Sequence, residues 1–191
     1  MIHTPFPVVF DACVLYPSPL RDLLMHLGLT DLCQPKWSDD IQNEWTRNLL
    51  SNNPKCSAGK LARTVDLMNK ALPDANVTNY QPIIGGLNLP DPDDRHVLAV
   101  AIKSQSEIIV TANLKDFPAE VLNQYGIEAI HPDEFIMDLL DLNASHVYKA
   151  VYRARTSMSK PPMNVDEYLD CLFRQQLPLT VIELEKAKIL L

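Results

Sequence analysis

Four acids stand where strands end or helices begin. Asp11 follows the apolar run Pro7-Val8-Val9-Phe10, and Glu44 lies between Trp37 and Trp45. Asp94 belongs to Asp91-Pro92-Asp93-Asp94-Arg95-His96, and Asp116 to Thr111-Ala112-Asn113-Leu114-Lys115-Asp116-Phe117. They are far apart in the chain. Carboxylates brought together from separate elements repel one another, so a fold keeps such a cluster only if something positive neutralises it. Divalent cations of the Mg2+ or Mn2+ type prefer oxygen ligands, and a pair of them suits phosphodiester hydrolysis.

Each acid also has a bland reading. With Asp91 as N-cap and Pro92 at the first helical position, Asp94 comes third, where a negative charge favours helix initiation. Asp94 also precedes Val97, Leu98 and Ala101 at helical spacing, so it faces the apolar stripe and the sheet edge while Asp93 points elsewhere. Glu44 lies with Asp40 and Asn48 at the margin of the stripe Ile41, Trp45 and Leu49, where a solvated residue is equally at home. A carboxylate at the inner end of a buried strand needs a partner, so Asp11 fits either a site or a cap. Asp116 and Asn113 fit turns as well as ligands.

The elements that must position these residues follow from the hydrophobic pattern. A buried strand over residues 6–11 leads to a helix capped by Ser18, with Pro19 at its start, that buries Leu20, Leu23, Leu24 and Leu27 and ends at Gly28. A strand near Asp31–Gln34 precedes helices at Trp37–Leu50 and Lys60–Leu72. A loop from Pro73 to Pro90 leads to a helix at Pro92–Ser104, strands at Glu107–Thr111 and Gly126–Ile130, and a helix opening at Pro132. Alternation of this kind predicts a parallel α/β sheet flanked by helices, with ligands beyond the carboxyl ends of the strands. From Ala144 the pattern becomes helical alone, over 144–158, 165–175 and 180–190, broken at Ser159-Lys160-Pro161-Pro162. The expected division is an α/β main region 1–143 and a helical extension 144–191, packed on the main region or on a partner.

The chain has 191 residues, 47% hydrophobic and 21% charged, an ordinary globular composition. Its net charge of −7 argues against holding nucleic acid by surface electrostatics alone, though metal ions reverse the local charge of an acidic site. Met1–Pro7 lacks a secretory pattern and no apolar run is long enough to span a membrane. Cys13, Cys33, Cys56 and Cys171 lack CxxC spacing, as expected of reduced thiols in a cytoplasmic protein.

Asp11-Ala12-Cys13-Val14-Leu15, the mid-helix Glu44, Asp94 followed by Val97-Leu98-Ala99-Val100-Ala101, and Ile109 through Phe117 together resemble the PIN-domain ribonuclease family over residues 7–135. The resemblance implies a three-layer sandwich around a parallel sheet of about five strands. It also implies acids that bind Mg2+ or Mn2+ and hydrolyse RNA to 5′-phosphate and 3′-hydroxyl ends. By motif position Asp11, Glu44 and Asp94 match the three main acids. Cys13 stands where Asn, Ser or Thr is common and Asn113 where Asp is common, leaving Asp116 as the fourth carboxylate and Thr111 to orient a water or ligand. Many small members are toxins of toxin–antitoxin pairs. The implied partners are therefore RNA, an antitoxin inserting a basic segment, and a second copy in a homodimer.

Two other classes bear comparison. A haloacid-dehalogenase-like phosphatase needs an Asp where Cys13 stands, and Gly85-Gly86 does not open a helix after a strand as a nucleotide-binding loop would. A catalytically weak PIN-like module that only binds RNA or protein is the remaining alternative, favoured by Cys13 and Asn113.

Overall fold

The computed structural model describes residues 5–158 and 161–191. The reading of Met1–Pro7 as free of a leader and that of the Ser159–Pro162 break therefore fall partly outside the described residues.

Val8, Val9 and Phe10 are fully buried in β1 (Phe6–Phe10), as suits a strand covered on both faces. It pairs in parallel with β2 (Cys33–Lys36) on one side and β3 (Ile108–Val110) on the other, and β4 (Glu128–Ile130) completes the order β2-β1-β3-β4. The described residues thus give four strands where the resemblance implies about five. On the β2 side the sheet gains a single bridge, Trp37 to Asn76, because the Pro- and Asn-containing stretch after residue 72 turns rather than extends. The strand order reverses between β1 and β3, and the crevice at their carboxyl ends is where such sheets bind ligands.

The short helix α1 (Ala12–Leu15) leads into α2 (Ser18–Gly28), which buries Leu20, Leu23, Leu24 and Leu27 as its spacing predicts. Each such leucine contributes ~2 kcal/mol by leaving water. Gly28 lies so close to β2 that a Cβ there would collide with the Pro35 ring. The chain then turns through Asp31 at φ 60°, which delays β2 by two residues relative to expectation. Helix α3 spans Asp39–Asn52 rather than Trp37–Leu50. The Ser38 hydroxyl accepts from Ile41 N at 3.3 Å, and the backbone of Trp37 is committed to Ala75 and Val77, so it cannot begin a helix.

Helices α4 (Ala58–Ala71), α5 (Gln81–Ile84), α6 (Arg95–Ser104) and α7 (Ala119–Leu122) follow. Helix α8 (Pro132–Ser157) is interrupted at Asn143, with φ −161° and ψ 88°. The Asn143 side chain accepts from His146 N at 3.3 Å, capping the second half.

The C-terminal helices α9 (Val165–Arg174) and α10 (Pro178–Lys186) pack chiefly against α2 and α8. Val147, Val151, Ala154, Leu169 and Leu172 are buried in the same hydrophobic cluster as the strands, whereas Phe173 is 60% exposed. A capping box between Asn164 and Glu167 starts α9. Asp133 starts α10 from a distance, accepting from Leu179 N at 2.9 Å and Thr180 N at 2.8 Å. Among the described residues no helix is long and apolar enough to cross a membrane.

Candidate active site

Asp11 ends β1, and its backbone N–H continues the ladder to Val110 O at 3.1 Å. Its side chain is 3% exposed. One carboxylate oxygen accepts from Ala12 N at 2.6 Å, capping α1, while the other accepts from the Thr111 hydroxyl at 2.7 Å and the Cys13 thiol at 3.1 Å. Cys13 Sγ in turn accepts from Ala112 N at 3.2 Å. Burial first, and then the Asp11 charge, push the Cys13 thiol up to about 12, so it stays protonated and able to donate. Thr111 is fully buried and accepts from Asn113 N at 3.0 Å; its hydroxyl proton is committed to Asp11. The strand ends of β1 and β3 are thereby locked together through one carboxylate.

Above this lies an open cleft of about 660 Å³ lined by Asp40, Asn43, Glu44, Arg47, Asp91, Asp93, Asp94, His96, Asn113 and Asp116. Helix α3 contributes Asp40, Asn43, Glu44 and Arg47, which recur at helical spacing on one face, opposite the buried Ile41 and Trp45. Asp40 is engaged by the Tyr80 hydroxyl at 2.5 Å. Asp91 caps the next element, accepting from Asp93 N at 2.9 Å. Residues Pro92–Asp94 form a 3-10 turn before α6, instead of the first turn of one continuous α-helix. The tighter turn carries Asp93 onto the cleft wall beside Asp94, whereas α-helical spacing predicts it to point away. Asn113 and Asp116 enter from the loop after β3, where Leu114–Asp116 make a second 3-10 turn.

Electrostatic strain marks the place where these elements meet. The Asp94 carboxyl is pushed up to about 7, first by burial and then by the charges of Asp11, Asp91, Asp116 and Glu44. Glu44 is also raised, by burial and then by Asp11, with His96 and Arg47 opposing. His96 donates through Nδ1 to Asp93 O at 2.6 Å, and its Nε2 stands 3.4 Å from Glu44 without making a hydrogen bond.

Arg21 supports the site from behind. It is buried, donates to Leu15 O at 2.7 Å at the end of α1, and stacks over Trp45 with 4.5 Å to the ring centroid. It thus ties the segment after Asp11 to the helix that carries Glu44. Sequence reading missed Arg21, because the apolar stripe of α2 makes it look like a solvated margin residue. Arg47 and His96 were missed too; the only available signal was a three-residue spacing, of Arg47 from Glu44 and of His96 from Asp93.

The oxygen-rich donor set suits a hard divalent ion. Among the described residues, however, no group of three or more His, Cys, Asp or Glu forms a set able to hold a metal. Glu44, Asp94 and Asp116 share the cleft wall, and Asp11 lies buried beneath it.

Comparison with known families gives two matches along the chain. A family model of the PIN domain covers residues 7–115, and the chain belongs to the PIN-domain family. A second model, the VapC50 C-terminal domain, matches residues 132–186, beginning at the first residue of α8. The chain is 38% identical over 96 residues to the protein named "Putative ribonuclease VapC50" of Mycobacterium tuberculosis (strain ATCC 25618 / H37Rv). That match covers 50% of this chain and 56% of the relative, so it spans little more than half of the relative's length. No solved structure matches the chain.

Proposed function

We propose that the chain is a metal-dependent endoribonuclease and the toxin half of a toxin–antitoxin pair acting in the cytoplasm. The observation that carries this reading is the cleft in which Glu44, Asp91, Asp94 and Asp116 come together above the buried Asp11, a costly arrangement in a protein that uses none of them. Asp11, Glu44 and Asp94, completed by Asp116 or Asn113, are the residues that would hold Mg2+ or Mn2+. When bound, such an ion supplies charge neutralisation at the phosphate and a water of lowered pKa.

The chain's own contribution is orientation. Thr111 and Cys13 fix one oxygen of Asp11, and Ala12 N fixes the other. The Cys13 thiol hydrogen-bonds where a hydroxyl or amide is common in the family, which favours a competent site over an inactive module. Asp91 holds the 3-10 turn that presents Asp94. The partner that masks the cleft is an antitoxin with a basic segment, since an Arg pairs bidentately with carboxylates and competes with the metal. A nuclease region 1–143 with a helical extension 144–191 is part of this reading, supported by the interruption at Asn143.

Incubation of the purified chain with a mixed RNA pool, with Mn2+ or with EDTA, tests the proposal. Cleavage is expected with Mn2+ alone, and Asp11→Asn or Asp94→Asn should abolish it with an unchanged circular dichroism spectrum. Cleavage in EDTA, or full activity of Asp94→Asn, overturns it.

A further inference from the structure

We propose that Arg47 is a phosphate-binding residue that anchors the RNA backbone beside the scissile bond; this rests on the ribonuclease reading. Arg47 lies three residues beyond Glu44 on the face of α3 that lines the cleft. At ~1.5 Å of rise per residue, that places it about 4.5 Å further along the helix. Six carboxylates line the same cleft, Asp40, Glu44, Asp91, Asp93, Asp94 and Asp116, and among the described residues Arg47 is the only Lys or Arg there.

Despite that company, Arg47 is exposed, and among the described residues its guanidinium joins no ion pair. The neighbouring arginines are differently used. Arg21 donates to the carbonyl of Leu15, and Arg95 donates through Nε to the carbonyl of Pro92. The Arg47 fork is therefore open on the cleft side, and its planar donors match two phosphate oxygens.

A polyanion entering this cleft meets six carboxylates, and among the described residues this guanidinium is the one Lys or Arg that offsets them. An ion held by the acids would neutralise only the scissile phosphate, leaving the adjacent phosphate in need of a cation. Contacts of this kind fix register without reading bases. A different role, merely opposing the raised proton affinity of Glu44, would alter turnover rather than strand binding.

The experiment uses the full chain carrying Asp94→Asn, with a short fluorescein-labelled single-stranded RNA of mixed sequence. Binding is followed by anisotropy across about 50–200 mM KCl. Adding Arg47→Gln should weaken binding roughly tenfold and make the plot of log K against log[KCl] shallower by about 0.7. Arg47→Lys should restore most of the slope, because the charge remains. Arg63→Gln, which removes the same charge on α4 outside the cleft, should leave the slope unchanged. In the otherwise unsubstituted chain, Arg47→Gln should raise KM with kcat nearly constant. An unaltered slope, an equal effect of Arg63→Gln, or a loss confined to kcat overturns the proposal. Failure of the Asp94→Asn chain itself to bind the RNA at any salt concentration removes the ribonuclease reading, and this inference with it.

Discussion

At the scale of single residues, the cleft is a place where charge is stored at the expense of stability. Asp94 titrates near 7 in the folded chain against its ordinary 3.8, because burial and then Asp11, Asp91, Asp116 and Glu44 disfavour its charged form. As pH rises from about 4, the unfolded chain releases this proton first while the folded chain retains it. Stability therefore falls from about pH 4 to about pH 7, and the cost is fully present above that. For a half-exposed group, solvent screening reduces the penalty to on the order of 1–2 kcal/mol. Thermal melts of the metal-free chain between pH 4 and pH 8 should show this decline, and Asp94→Asn, which cannot ionise, should flatten it and melt a few degrees higher at pH 8. Parallel pH profiles for the two proteins would mean that Asp94 does not carry the repulsion. The Asp91 cap and the inward face of Asp94 were legible in sequence because both depend on neighbours within a turn. The direction of Asp93 was not, since it depends on the choice between a 3-10 and an α-helical first turn.

At the scale of elements, β1 and β3 were legible as short apolar runs, and the long amphipathic helices because their burial patterns are periodic. Their ends were not, wherever a distant segment claims the backbone. Trp37 reads as the start of a helix until residues 75–77 take its N–H and carbonyl. Helix α10 shows the same effect in reverse. It starts at Pro178, two residues before the predicted Thr180, without a cap from its own chain neighbourhood, because Asp133 of α8 supplies one. Asp133→Ala would leave the buried Thr180 N–H and the partly buried Leu179 N–H without an acceptor. A loss of about 2–4 kcal/mol in denaturant titrations is the expected outcome, with hydrogen exchange accelerated first in α10. Unchanged exchange in residues 178–186 would show that apolar packing alone holds that helix. The acid convergence was legible only in outline: motif order placed Asp11, Glu44, Asp94 and Asp116 together. Depth was not encoded there, and Asp11 proves to be buried beneath the cleft whose walls carry the others.

At the scale of the whole molecule, the C-terminal helices belong to the same hydrophobic interior as the sheet. Leu172 and Leu184 are fully buried, and Arg155 ties the ends together by donating to Leu191 O at 2.9 Å and Met163 O at 3.0 Å. Removal of residues 160–191 should therefore expose the faces of α2 and α8 and give an insoluble or unfolded product. A soluble, monomeric and cooperatively melting truncation would show that the tail is dispensable to the fold. The packing of the tail on α2 and α8 was not legible, because an amphipathic helix announces that it needs a partner and not which one. The hydrogen bond from Thr111 to Asp11 spans 100 residues of chain, so it also has a meaning in time. During synthesis β1 leaves the ribosome long before β3, and at ~5–20 residues per second roughly 5–20 s separate the two. For that interval Asp11 has no Thr111 to hold it and β1 has no β3 beside it. The nascent chain thus passes through a period in which the centre of its sheet is uncovered and the acids are still scattered, and the cleft comes into being only late in translation.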